Sequence, residues 1–99
     1  MKGIVNTLVK ELENVSFKIQ RVHNNNGNEE LYGSNEGDLI TLAVDTCMKD
    51  GREQIVIVAI HELLHAVYPE MTEKEVEEMA KELYYRSYKL RAIIAERII

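Results

Sequence analysis

The chain carries one cysteine, Cys47, in 99 residues. A lone cysteine closes no internal disulfide, and such sparing use fits a reducing, cytoplasmic setting. Cys47 has no second cysteine or nearby histidine to pair with, so it reads as a packing residue. Long apolar runs are missing as well. No stretch approaches the ~20 residues that span a bilayer, and Asn6, Lys10 and Glu11 interrupt any signal-like segment between Met1 and Phe17. No membrane partner is expected. A long basic run is also lacking, and the formal net charge of −5 argues against a nucleic-acid partner. Repeats, linkers and low-complexity tracts are missing too, beyond Asn24-Asn25-Asn26. What remains is one small domain, residues 1–99, with 45% hydrophobic residues for a modest core.

Against that plain background stands His61-Glu62-Leu63-Leu64-His65. On a helix, histidines four apart lie one above the other on one face. Two neutral imidazoles so placed can ligate one zinc ion, with Glu62 about 100° around the helix as a general base. From Ile55 to Val67 every other residue is apolar, the mark of a buried helix. Burying a carboxylate and two imidazoles is costly without strong partners, and a metal ion satisfies all three. The plainer alternative is a core helix whose histidines bond to backbone.

The flanking sequence predicts an α+β fold. Ile4, Val5, Leu8, Val9 and Leu12 have helical spacing, so Gly3 to Glu13 reads as an N-terminal amphipathic helix. Val15, Phe17 and Ile19 alternate with polar residues in a strand running to about His23, which is read as a strand-end residue and not a ligand. The stretch 24–28 reads as a turn, 31–34 as a short strand that pairs back, and 33–37 as a loop. Leu39 to Val44 is the best strand, with Ile40, Leu42 and Val44 towards the core. Together these predict a small, mostly antiparallel sheet of about three strands. Asp50 and Glu53 resemble a capping box that opens the motif helix, and Pro69 ends that helix near Tyr68. Thr72 and Glu75 form a second capping box, with Met71 and Val76 as a hydrophobic staple. Val76, Met79, Ala80, Leu83, Ser87 and Leu90 then mark the inner face of a long C-terminal helix.

Catalytic zinc keeps three protein ligands and one open position. The third is expected among Glu73, Glu75, Glu77 and Glu78. Glu73 lies one heptad before Ala80 and shares its core-facing side; Glu77 sits at the border of that side. Glu75 is engaged by the cap and Glu78 faces away. Glu73 is therefore the expected ligand, and Glu77 is its alternative.

Two histidine ligands on one helix and a glutamate from the next resemble the gluzincin metallopeptidases. Over Gln54 to Leu83, at this chain length, the likeness is to the minigluzincins, minimal soluble members of that group. The resemblance implies His61 and His65 as ligands, Glu62 as the base, one zinc ion per chain, and a peptide or unfolded protein as substrate. It further implies that zinc lowers the pKa of its water towards neutrality, while Glu62 moves the proton to the departing amine. No histidine follows His65, which sets the chain apart from metzincins. Rival readings are a zinc-binding protein without turnover and a peptidase specific for one regulatory protein. Tyr68, Tyr84, Tyr85 and Tyr88 are candidate oxyanion donors, and none is assigned. A substrate strand is expected along an exposed edge of the Leu39–Val44 strand.

The end of the chain raises a separate question. No glycine or proline follows Pro69, so one helix is expected from Glu73 to Ile99, ~40 Å long at ~1.5 Å per residue. Its last part is apolar: Leu90, Ile93, Ile94 and Ile98 keep helical spacing. Such a strip either completes the domain's own core or reaches a neighbour's cleft in a two-fold exchange. Minigluzincins resemble zymogens held latent by their C-terminal segments, which implies occlusion by residues 91–99 and a homodimer. The metal reading makes a further prediction, since zinc held only by the folded state stabilises it by mass action. Removing it with a tight chelator is expected to lower the thermal midpoint, and an unchanged midpoint after verified removal overturns the metal assignment.

Overall fold

A computed structural model of the chain describes residues 2–20, 23–25, 29–31, 33–36, 39–43 and 52–98. The first helix, α1 (Lys2–Glu11), turns Val5 and Leu8 inward, with Ile4 and Val9 packed beside the core. A turn ends it, in which the Asn14 N–H donates to the Glu11 carbonyl at 2.9 Å. Leu12 and Val15 stay buried as the chain leaves. Five strands follow: β1 (Ser16–Gln20), β2 (His23–Asn25), β3 (Glu29–Leu31), β4 (Gly33–Glu36) and β5 (Leu39–Ala43). β2 and β3 pair antiparallel with each other. The main sheet has the order β1–β5–β4.

The α+β class expected from the sequence is the one the chain adopts. The sheet is mixed, however, where the strand patterns predict a mostly antiparallel one. β1 runs parallel to β5 from Ser16↔Leu39 to Gln20↔Ala43, and only β4 runs against it. A parallel pair needs a long crossover, and β2, β3 and β4 come between β1 and β5 in the chain. The stretch 33–37, expected as a loop, contains β4: its polar Gly-Ser-Asn-Glu has no strand pattern, but backbone pairing to β5 makes it a strand. Polar residues are tolerated at a sheet edge. β5 is central, so the free edge expected of it is taken on both sides. Ile40 and Leu42 are fully buried, as the alternation predicts, and Thr41 on the other face is buried too. Val44, Cys47, the Asp50 cap and residues 26–28 of the predicted turn lie outside the described residues.

The motif helix, α2 (Arg52–Val67), packs against β4 and β5 and against the helix that follows it. Ile57, Val58, Ala59, Ile60, Leu63 and Leu64 are buried. The Tyr68 N–H still donates to the Leu64 carbonyl, at 2.7 Å, and Pro69 then ends the helix. Thr72 caps α3 (Glu73–Arg86) with the predicted capping box: its hydroxyl accepts from the Glu75 N–H at 3.2 Å, and its own N–H donates to Glu75 Oε1 at 2.9 Å. The bond from the Thr72 N–H, then that from its side chain, holds the Glu75 carboxyl below its ordinary value of 4.5. A lowered folded-state value means that the cap's contribution is present above that ordinary value and lost as pH falls through the lowered one.

The single C-terminal helix expected from Glu73 to Ile99 is two helices, because Ser87 breaks it. Ser87 is extended (φ −111, ψ 91), and its N–H donates to the Leu83 carbonyl at 2.8 Å, closing α3. Its hydroxyl accepts from the Leu90 N–H at 3.2 Å and so opens α4 (Tyr88–Ile98). One serine thus caps both ends without glycine or proline. The chain then folds back: α4 packs on α1, α2, α3 and β1. Leu90 and Ile94 are fully buried, Ile93 and Ile98 pack beside them, and Arg97 Nη2 donates to the Val15 carbonyl at 3.0 Å. The apolar strip completes the core of its own domain. An exposed overhang is one of two grounds for expecting latency through residues 91–99 and a dimer by exchange; the burial of Leu90 and Ile94 removes it and leaves the family resemblance as the other. Ile99 lies outside the described residues. No helix among the described residues is long and apolar enough to cross a membrane.

Ile94→Ala is expected to cost about 3 kcal/mol, lowering the thermal midpoint by roughly 10–20 °C. A chain ending at Leu90 is expected to unfold instead of gaining activity. Calorimetry of both decides: a truncated chain as stable as the full one overturns the core role of α4.

Candidate metal centre

One stripe of α2 faces a cleft, with Ile57 and Val58 reaching it from the edge of the core. Gln54, Ile57, Val58, His61 and Glu62 recur at three- and four-residue spacing and line one side of this cleft of 450 Å³. Glu73, Glu77 and Lys81, at i, i+4 and i+8 on α3, line the other. Residues 68–72 join the helices, and a turn within them has the Met71 N–H donating to the Tyr68 carbonyl at 3.1 Å. That short connection brings the first residue of α3 beside the last turns of α2.

His61 and His65 direct their Nε2 atoms at each other, 3.2 Å apart, with ring centroids 4.8 Å apart. Glu73 spans both rings: Oε1 lies 2.7 Å from His61 Nε2, and Oε2 lies 2.9 Å from His65 Nε2. The histidine side chains are 19% and 26% exposed, whereas Glu73 is 72% exposed. Ligand atoms of the three residues fall within 4.8 Å of one another, a group that could hold a metal ion.

The donor set can be tested against an ion. At a metal–nitrogen distance of about 2.0–2.1 Å, the edge of a tetrahedron is ~3.3 Å. The 3.2 Å between the imidazole nitrogens matches that edge. The contacts to the Glu73 oxygens, 2.7 and 2.9 Å, are shorter and of hydrogen-bond length. A carboxylate this exposed has room to move out by the few tenths of an ångström that coordination asks. The residues present fit the group.

Comparison with protein-family models, curated proteins and solved structures finds no match to this chain.

The structure brings His61, His65 and Glu73 together and places Glu62 on the same cleft. Glu77, the alternative third ligand, also lines the cleft, but its Oε1 lies 3.8 Å from Lys81 Nζ, one turn on. His23 lies on β2, paired with Leu31. Of the four candidate tyrosines, Tyr68 and Tyr84 pack against the core while Tyr85 and Tyr88 are exposed; none of the four lines the cleft. Sequence reasoning missed Gln54, Ile57, Val58 and Lys81 as cleft residues. The signal was available, since each stands three, four or seven residues from His61, or four from Glu77.

Glu73→Gln is expected to weaken metal binding more than ~100-fold, beyond what losing an outer-sphere partner costs, and Glu77→Gln is expected to leave it unchanged. Titration with zinc of the three proteins decides, and the reverse order overturns the ligand set.

Proposed function

We propose that this chain is a zinc-dependent peptidase of the gluzincin type, with a minigluzincin as the nearest description. The observation that supports this most is one carboxylate, Glu73, reaching both imidazoles of a helix that also presents Glu62 to the same cleft. Two imidazole nitrogens and one carboxylate, with an open position towards the cleft, suit catalytic zinc. His61, His65 and Glu73 would hold the ion. Bound there, zinc supplies a Lewis acid for the peptide carbonyl and acidifies water.

The rest of the work falls to this chain's own groups. Glu62 accepts a proton from the attacking water and passes it to the departing amine. Ile57 and Val58, 7% and 6% exposed, give the cleft an apolar floor that excludes bulk water from one side. An extended substrate aligns along β4, the strand beside α2, because β5 is paired on both edges. Backbone pairing of that kind sets register and leaves sequence choice to the cleft.

Glu62→Gln is expected to keep one zinc per chain and to lose about 10²–10⁴ in kcat on an unstructured peptide. His65→Ala is expected to lose both metal and turnover. Turnover that survives Glu62→Gln sinks the base assignment. A zinc-loaded wild type that cleaves no unstructured peptide sinks the peptidase reading and favours a binding protein.

A further inference from the structure

Beyond the metal centre the cleft runs along α3 as far as Lys81. On α3 the row Glu73, Glu77, Lys81 continues at the same four-residue step to Tyr85. Just beyond it lie the break at Ser87 and Tyr88. Tyr85 and Tyr88, 63% and 73% exposed, are the only exposed large hydrophobic side chains among the described residues. Around them the charge changes sign. Between Leu83 and Ala95 the chain has Arg86, Lys89 and Arg91 and no carboxylate, although its net charge is −5. Arg86 is 70% exposed, 3.5 Å from Glu82 in a surface pair of the kind that binds weakly. Lys89 is exposed.

Part of this patch is held in place. The Arg91 guanidinium carbon stands 5.2 Å from the ring centroids of both Tyr84 and Tyr88, and its Nη1 donates to the Tyr84 carbonyl at 3.4 Å. Tyr84 in turn meets Tyr85 edge to face, with centroids 5.1 Å apart. The patch is ordered before anything binds, which lowers the cost of binding.

We propose that this aromatic and cationic patch is an auxiliary docking site for an acidic, extended segment of the polypeptide substrate. The inference rests on the peptidase reading and names the substrate class for that site. A chain that lies in the cleft and runs on past Lys81 meets carboxylates at the metal end and, beyond the cleft, cations with tyrosine rings. From Glu73 to Tyr85 is about 18 Å along the helix, which an extended peptide covers in about five or six residues. The preferred substrate therefore carries acidic residues about that far from the bond that is cut. A nucleic acid fits less well, since a net-negative chain repels a long polyanion.

The test uses the full chain, with and without added zinc, and two labelled peptides of ~12 residues. One has Asp and Glu at one end, and the other has Asn and Gln in their place. Fluorescence anisotropy is expected to show the acidic peptide binding about fivefold tighter, with the difference shrinking in salt. Arg86→Gln with Lys89→Gln is expected to abolish that difference, and Tyr85→Ser with Tyr88→Ser to weaken both peptides. Equal binding of the two peptides, or a preference untouched by the charge variants, overturns the proposal. So does a single-stranded oligonucleotide that binds as tightly as the acidic peptide, or sedimentation showing that the patch is covered by a second copy. Binding needs no turnover, so docking without cleavage faults only the peptidase reading. Cleavage of both peptides at equal KM faults only the docking site.

Discussion

The site depends on how α2 is buried. A helix with apolar residues nearly all round must be covered by the sheet and its neighbouring helices, yet a carboxylate and two imidazoles cannot be covered without strong partners. The two demands are met by leaving one side of α2 uncovered and turning His61, Glu62 and His65 towards it, where they are only half-buried. The first turn of α3 stands across that opening. It arrives there because α2 stops at Val67 and only residues 68–72 intervene. One more turn of α2 would carry the junction ~5.4 Å further and take Glu73 away from His61. Pro69 is thus as much a part of the site as His61, His65 and Glu73 are.

The first turn of α3 separates the roles of neighbouring glutamates. Carboxylates are favoured at a helix N-terminus, and Glu73 and Glu75 both stand there. Glu75 turns back to the Thr72 N–H, which keeps it ionised and engaged. Glu73 turns towards the histidines. With 72% of its side chain exposed, Glu73 is positioned by the capped backbone and by its contacts with the two imidazoles, not by packing.

Much of this was legible in the sequence. The helical wheel singled out Glu73 because Val76, Ala80 and Leu83, three, seven and ten residues on, are apolar, and all three are fully buried. The capping box at Thr72 and the stop at Pro69 were local signals, and local signals survive folding well. Strand pairing was not legible, since it depends on residues far apart: nothing within Ser16–Gln20 says that it lies parallel to Leu39–Ala43. The break at Ser87 was hidden for another reason. Leu83 and Leu90 keep a heptad's spacing across it, so the apolar pattern runs on while the backbone does not. A serine inside a periodic run was counted as a core position, when its hydroxyl marked a helix start.

The return of α4 to the strand end near α1 has a consequence for how the molecule comes into being. The bond from Arg97 to Val15 joins residues 82 apart in the chain, and Leu90 and Ile94 fill the core alongside Leu8 and Leu12. During synthesis the N-terminal helix, the sheet and the two histidines of α2 emerge first, yet the interior they share stays unfilled until residues as late as Ile94 have been made. Non-local closure of this kind adds its entropic cost before its contacts repay it. The nascent chain therefore waits with apolar surface uncovered, and α4, made after the other described elements, ends the wait.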